Sequence, residues 1–317
     1  MNDRQREIAY NSLPLHQRLI DVCASFQLLQ QEFLGTVGEE QGARLEHVAT
    51  LLIWLCEERI EQVLGELFLS EHADYNFTKP LYVAASLTEL IRRYSIDETP
   101  IDDDKRLQMV MAALGYNLGL LAYDSQVYGI SDEFSDEERR RLRQHYPQQS
   151  ADMLEAAGLV DPVLQDVVRN HNLAAENPSA DAMMMRIPFI FAGIAMPQRI
   201  GDSRRNMDNP SREFAKMYAN GELDPVYGAL FLKIHGVAPI GSIVNYESHE
   251  QAIVVHGPED EDIRSSTVRM LVDGDGSQLE RPGEFYPFNE TPTRHRGLVD
   301  HHHFNWAKFS PHVMWEN

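Results

Sequence analysis

The period of the apolar residues constrains this chain most: it is helical over the first two thirds and stops being so after Gly236. Between residues 13 and 33, Leu15, Leu19, Val22, Cys23, Phe26, Leu29 and Phe33 recur at the i, i+3, i+4 spacing of a buried stripe. Residues 44 to 69 repeat the pattern on a wider face that includes Val48, Leu52, Leu55, Val63, Leu64 and Leu67, and Gly35, Gly38 and Gly42 punctuate the join. The same spacing predicts helices at 80 to 95, 106 to 123, 135 to 144, 148 to 157, 161 to 171, 181 to 196, 211 to 219 and 224 to 235. Several of these open on start signals. Ser135 precedes Asp136, Glu137 and Glu138, and Asp161-Pro162 and Asp224-Pro225 pair a cap with a first-turn proline.

Beyond Gly236 the pattern becomes strand-like. Residues 242 to 246, 251 to 256 and 267 to 272 are short β-rich runs, and the last leads into Asp273-Gly274-Asp275-Gly276-Ser277, a turn sequence. The expected fold is therefore mainly α, with a small antiparallel β element at its C-terminal side. Four segments follow: an N-terminal helical extension over 1–43, a helical domain over 44–236, the β element over 237–283, and a His- and aromatic-rich tail over 284–317 without clear periodicity.

Charge narrows the function classes. The 317 residues carry 49 acidic against 28 basic side chains, a formal charge of −21, and the surplus is spread along the whole chain. Binding a nucleic acid by counterion release needs a clustered basic face, which is missing here. The opening residues lack the basic start and apolar stretch of a secretory signal. The longest uncharged run, residues 107 to 123, is marginal for spanning a bilayer and reads better as a buried helix. Membrane insertion is not expected, and a cytoplasmic location is. Cys23 and Cys56 lie in apolar helical runs, where cysteine acts as a small hydrophobe, so no disulfide framework is implied. Thirteen histidines in an acidic chain raise the question of a metal site.

The order of segments resembles the HD-GYP domain. Residues 224 to 246, with Asp224-Pro225 opening a helix and Pro239-Ile240-Gly241-Ser242 leading a strand, are similar to the end of that domain, and 251 to 255 and 267 to 276 to its closing hairpins. Ala112-Ala113-Leu114-Gly115-Tyr116-Asn117-Leu118-Gly119-Leu120 resembles the helix that carries the family's His-Asp pair, and residues 137 to 154, with His145, Pro147 and Ser150, resemble its His-Pro segment. The likeness covers roughly residues 45 to 283. It implies an HD-GYP-like helical bundle related to metal-dependent phosphodiesterases of bacterial cyclic di-GMP, in which His and Asp ligands hold metal ions that polarise the phosphoryl oxygens and activate water.

The signature residues depart from that pattern. By the resemblance, the first ligand His falls on Lys79, the His-Asp pair on Tyr116 and Asn117, and the phosphate-contacting Lys on Leu120. The His-His-Glu group falls on Asn170, His171 and Asn172, and the late Asp near Met196 or Pro197; the Gly-Tyr-Pro loop has no counterpart. His145 and His171 are the two ligand-type side chains left, and Tyr146 separates His145 from Pro147. A stable hydrolytic site needs about three protein ligands on one ion. The expectation is accordingly a degenerate, catalytically inactive regulatory or scaffold protein with no cofactor. Its partner would be a protein, such as a diguanylate cyclase or another signalling component, or a second copy in a homodimer. The alternatives are a phosphohydrolase that holds iron or manganese on displaced ligands, and a non-hydrolytic sensor of the dinucleotide, with Arg204 and Arg205 as its candidate phosphate contacts.

Each of these residues also has a plainer reading. His145 and His171 are either residual ligands or hydrogen-bonded histidines of a helix bundle. Lys79 either replaces the lost metal charge inside the bundle, among Tyr116, Asn117 and Asn170, or snorkels to solvent. The Asp300-His301-His302-His303 run is a compositional hint of metal binding. Asp273 to Ser277 with Glu284 mimics part of a calcium loop, but Gln278 stands where that loop requires glycine, so a turn is expected. Met183, Met184 and Met185 read as core, and Arg139 to Arg143 as a salt-bridged helix face.

Overall fold

The periodic stripes become helices close to where the spacing places them. The structure is a computed structural model, described here for residues 12–70, 75–121, 135–172, 177–196, 210–258, 262–288 and 295–299 and for 304, 306, 308 and 310–315. Helices α1 (Leu15–Phe33) and α2 (Glu39–Phe68) form an antiparallel hairpin, tied at one end by Arg18 to Glu58 at 2.6 Å and at the other by Arg44 to Glu32. Against it lies α3 (Tyr75–Asp97), whose residues from Leu81 to Ile91 are buried almost without interruption, as a helix with neighbours on every side must be. The chain then runs through α4 (Asp103–Gly115), the short α5 (Leu118–Leu121), α6 (Asp136–Ala156), α7 (Pro162–Asn170), α8 (Ala180–Ala195), α9 (Pro210–Ala219) and α10 (Pro225–His235). Caps predicted from sequence are in place: Asp161 accepts from the N–H groups of Val163 and Leu164, and Asp224 from those of Val226 and Tyr227.

Helices α2 and α3 begin ahead of the expected residues 44 and 80, and two other helical stretches differ in continuity, each for a local cause. The helix expected over 106 to 123 breaks at Tyr116 and Asn117. The Ser150 hydroxyl donates to the Tyr116 carbonyl at 2.7 Å and accepts from the Gly119 N–H at 2.8 Å, so one side chain satisfies backbone groups that the break exposes. This needs α5 very near α6, and an ideal Cβ at Gly119 would lie 2.4 Å from the Tyr146 carbonyl oxygen. The two helices expected at 135 to 144 and 148 to 157 are instead one, because α6 continues through Pro147. Proline cannot donate to the carbonyl four residues back. That carbonyl belongs to Arg143, and Asn172 Nδ2 donates to it at 2.8 Å.

The β element is a five-stranded antiparallel sheet, ordered β4-β3-β2-β1-β5. Strands β1 (Ile243–Tyr246), β2 (Gln251–His256) and β3 (Thr267–Val272) match the expected runs, while β4 (Phe285–Pro287) and β5 (His295–Val299) come from the segment that lacked a readable pattern. A final 3-10 turn, Pro311–Trp315, also lies there. Its Trp315 covers α2 where Gly65 has no side chain: an ideal Cβ at Gly65 would lie 2.0 Å from the indole. The indole N–H donates to the Val255 carbonyl at 2.9 Å, Arg59 donates to the Trp315 carbonyl at 3.0 Å, and Arg269 donates to the carbonyls of Val313 and Met314. The tail thus bolts the sheet to the helices.

The Asp273 carboxylate accepts from the N–H groups of Asp275 and Ser277, closing a turn. Met184 and Met185 are in the core, and Arg140 and Arg141 pair with Glu137 on an exposed face. Both cysteines are free thiols, and burial pushes Cys23 up to about 12 and Cys56 further. Among the described residues no helix is long and apolar enough to cross a membrane.

Candidate functional site

The segments that carry the resemblance meet where α4, α6, α7 and α8 converge. Tyr116 caps the C-terminus of α4, Tyr146 lies on α6, His171 caps α7 and Phe189 lies on α8. Their rings form a closed cluster. His171 lies 5.0 Å from Tyr116, 5.6 Å from Tyr146 and 4.9 Å from Phe189, and Tyr116 meets Phe189 edge-on at 5.3 Å. These are ordinary tilted and edge-to-face aromatic separations. Lys79 enters from α3. It is nine-tenths buried, and its Nζ sits 4.9 Å above the Phe189 ring, within reach of a favourable cation–π contact.

Of the positions singled out from sequence, Lys79, Tyr116 and His171 are brought together here, and Asn117 is buried next to them. The Asn117 Oδ1 accepts from Gln30 Nε2 at 3.2 Å, a buried link from α1 to the break after α4. Leu120 is half-buried against the core, and Met196, at the C-cap of α8, is buried. Asn170 faces elsewhere: its Nδ2 donates to Asp166 at 2.7 Å, and it borders an open cleft of about 410 Å³ that is also lined by Glu155, Gln165 and Arg169. Asn172 repairs the backbone at Pro147, as described above. Arg204, Arg205 and Pro197 lie outside the described residues, as do Asp300 and His301 to His303.

His145 is exposed, and the neighbouring Tyr146 takes the inward position. The reason is helical phase. Tyr146, Ser150 and Leu154 are buried at intervals of four on α6, and His145 falls about 100° away from that line. This signal was present in the sequence, since Ser150 and Leu154 set the buried face.

His171 is fully buried and its hydrogen bonds assign its tautomer. Nδ1 lies 2.7 Å from the Val168 carbonyl oxygen, which can only accept, so Nδ1 carries the proton. Nε2 is then the acceptor, and the Tyr146 hydroxyl donates to it at 2.8 Å. Burial depresses the imidazole to about 4, helped by the positive charges of Lys79 and Arg186 and opposed by the Val168 hydrogen bond. A neutral imidazole binds a metal through its unprotonated nitrogen, and here that lone pair is committed to Tyr146. Among the described residues, no group of three or more His, Cys, Asp or Glu side chains is placed to hold a metal ion. The arrangement pairs a buried Tyr146 hydroxyl with a neutral imidazole whose two ring nitrogens are both engaged. It is a satisfied polar knot inside an aromatic cluster, and it fastens α3, α4, α6, α7 and α8 together.

No family model, curated protein or solved structure matches the chain.

Proposed function

We propose that this protein works by binding rather than by turnover, as a catalytically degenerate HD-GYP-like regulatory or scaffold protein of bacterial cyclic di-GMP signalling. One observation carries the non-catalytic reading: the remaining ligand-type residue in the aromatic cluster, His171, has both ring nitrogens engaged by Val168 and Tyr146. The other matching positions hold Lys79, Tyr116, Asn117, Leu120, Asn170, Asn172 and, for the late Asp, Met196 or Pro197, which supply no anionic ligand. The signalling context rests on the order and framing of the segments from 45 to 283. An acidic chain of this charge is suited to a protein partner with a basic face.

The test joins elemental analysis of untagged protein to a cyclic di-GMP diesterase assay with added manganese or iron. Less than one metal per chain and no turnover are expected; two bound metals with turnover would overturn the proposal. Calorimetry with cyclic di-GMP then separates a scaffold, which gives no heat at micromolar ligand, from a dinucleotide sensor.

A further inference from the structure

The link between α9 and α10 carries a reactive pair. Asn220-Gly221 is the one asparagine–glycine step in the 317 residues, and both of its residues are exposed. The side-chain amide of an asparagine is open to attack by the backbone nitrogen of the next residue, and glycine, which has no Cβ, hinders that nitrogen least. Gly221 has φ +74°, and a Cβ built on it would meet nothing within 4 Å, so the space beside this peptide is open.

Backbone hydrogen bonds of the last turn of α9 hold the pair. The N–H of Asn220 donates to the Lys216 carbonyl at 2.9 Å, that of Gly221 to Tyr218 at 3.0 Å and that of Glu222 to Met217 at 3.0 Å. Helix ends open at little cost in free energy, and opening this one frees the Gly221 nitrogen from Tyr218. The Asn220 side chain lies on the surface, where its Nδ2 donates to Glu222 Oε1 at 3.1 Å. Other described asparagines are poorer candidates. Asn117 and Asn172 are buried and each precedes a leucine, and Asn177 precedes a proline, whose nitrogen has no hydrogen to give up.

We propose that Asn220 is a site of spontaneous covalent modification, converted to aspartate and isoaspartate through a cyclic imide formed with Gly221. The Gly221 nitrogen gives up its proton and bonds to Cγ of Asn220, the Cγ–Nδ2 bond breaks, and the amide nitrogen leaves as ammonia. Water then opens the imide at either carbonyl. Opening at the side-chain carbonyl leaves aspartate, and opening at the backbone carbonyl leaves isoaspartate, whose main chain is longer by a methylene. Either product sets a new carboxylate beside Glu222. Isoaspartate also lengthens the link that seats Tyr218 on α10, where an ideal Cβ at Gly228 would lie 2.8 Å from the Tyr218 ring. The proposal stands apart from the reading of the degenerate site and would survive its failure.

The experiment incubates the full chain at mildly alkaline pH and maps its tryptic peptides at mildly acidic pH, where the imide forms slowly. Asn220 is the sole asparagine of the peptide Met217–Lys233. That peptide is expected to gain the mass of amide-to-acid conversion and to split into two products of equal mass, aspartate and isoaspartate. Asn220→Gln, whose longer side chain would have to close a larger ring, should abolish both products while far-UV circular dichroism stays that of the parent. A Met217–Lys233 peptide that stays unmodified in the folded chain overturns the proposal, as does aspartate without isoaspartate, which marks direct hydrolysis of the side chain.

Discussion

Two histidines are buried among the described residues, His171 and His235, and their surroundings could hardly differ more. His171 sits among Tyr116, Tyr146 and Phe189 with a hydrogen-bond partner on each ring nitrogen. His235, at the end of α10, is stacked on Phe191 at 4.7 Å and tilted against Phe231 at 4.5 Å, and neither of its nitrogens has a hydrogen-bond partner among the described residues. Burial holds both rings neutral, His171 near 4 and His235 near 3. The difference is therefore in satisfaction, not in charge. A buried polar group that is paired specifies the packing around it, whereas one left unpaired costs about 1 to 3 kcal/mol. The ring that holds helices together is the one where α4, α6, α7 and α8 converge; the other is tolerated as an aromatic.

The largest test of this contrast is truncation of the satisfied ring. His171→Ala should lower stability by about 3 to 5 kcal/mol, because it opens a cavity between three rings and removes the imidazole that accepts from the Tyr146 hydroxyl. Urea denaturation reads this directly. If His235→Phe cost as much as His171→Ala, the distinction between the two sites would be lost.

Acid should act on both sites. Each imidazole is protonated near 6.5 in the unfolded chain and only near 4 or 3 when folded. Between those values the unfolded state binds more protons, so stability falls as pH is lowered from 6.5. Down to pH 4 the loss is roughly 3 kcal/mol for each ring. His235→Phe should remove its share of this slope and keep that of His171. An unchanged stability profile between pH 6.5 and 4 in that variant would show that His235 does not titrate as its burial requires.

A smaller change makes one site resemble the other. Tyr146→Phe leaves Nε2 of His171 without its donor at nearly constant volume, and should cost about 1 to 2 kcal/mol. Smallest of all is His235→Phe at neutral pH, expected within about 1 kcal/mol of the parent and on the stabilising side, since it removes two unsatisfied polar atoms from an aromatic environment. A loss above that range, read as a lowered Tm, would mean that the His235 nitrogens are partnered after all.

Much of the fold was legible because helix and strand periods are local. The stripe over 13 to 33 became Leu15–Phe33, and the Asp161-Pro162 and Asp224-Pro225 pairs opened helices as their chemistry requires. The strands between 242 and 272 were equally readable. Harder to read were the places where a distant residue changes a local rule. Pro147 should end a helix, and does not, because Asn172 donates to the carbonyl of Arg143, 29 residues away from it in the chain. The tail had no period to read, since its order comes from Trp315 filling the space at Gly65.

The candidate site divides in the same way. The amino-acid sequence by itself determined that positions 79, 116, 117 and 120 hold a lysine, a tyrosine, an asparagine and a leucine, and therefore which charges and lone pairs were available. Only the tertiary structure decided how they were used. It drew Asn117 to Gln30 across 87 residues and spent the last lone pair of His171 on a hydroxyl from another helix. Residue type sets what a side chain can donate or accept, but which partner reaches it depends on packing between helices far apart in the chain, and no local period encodes that.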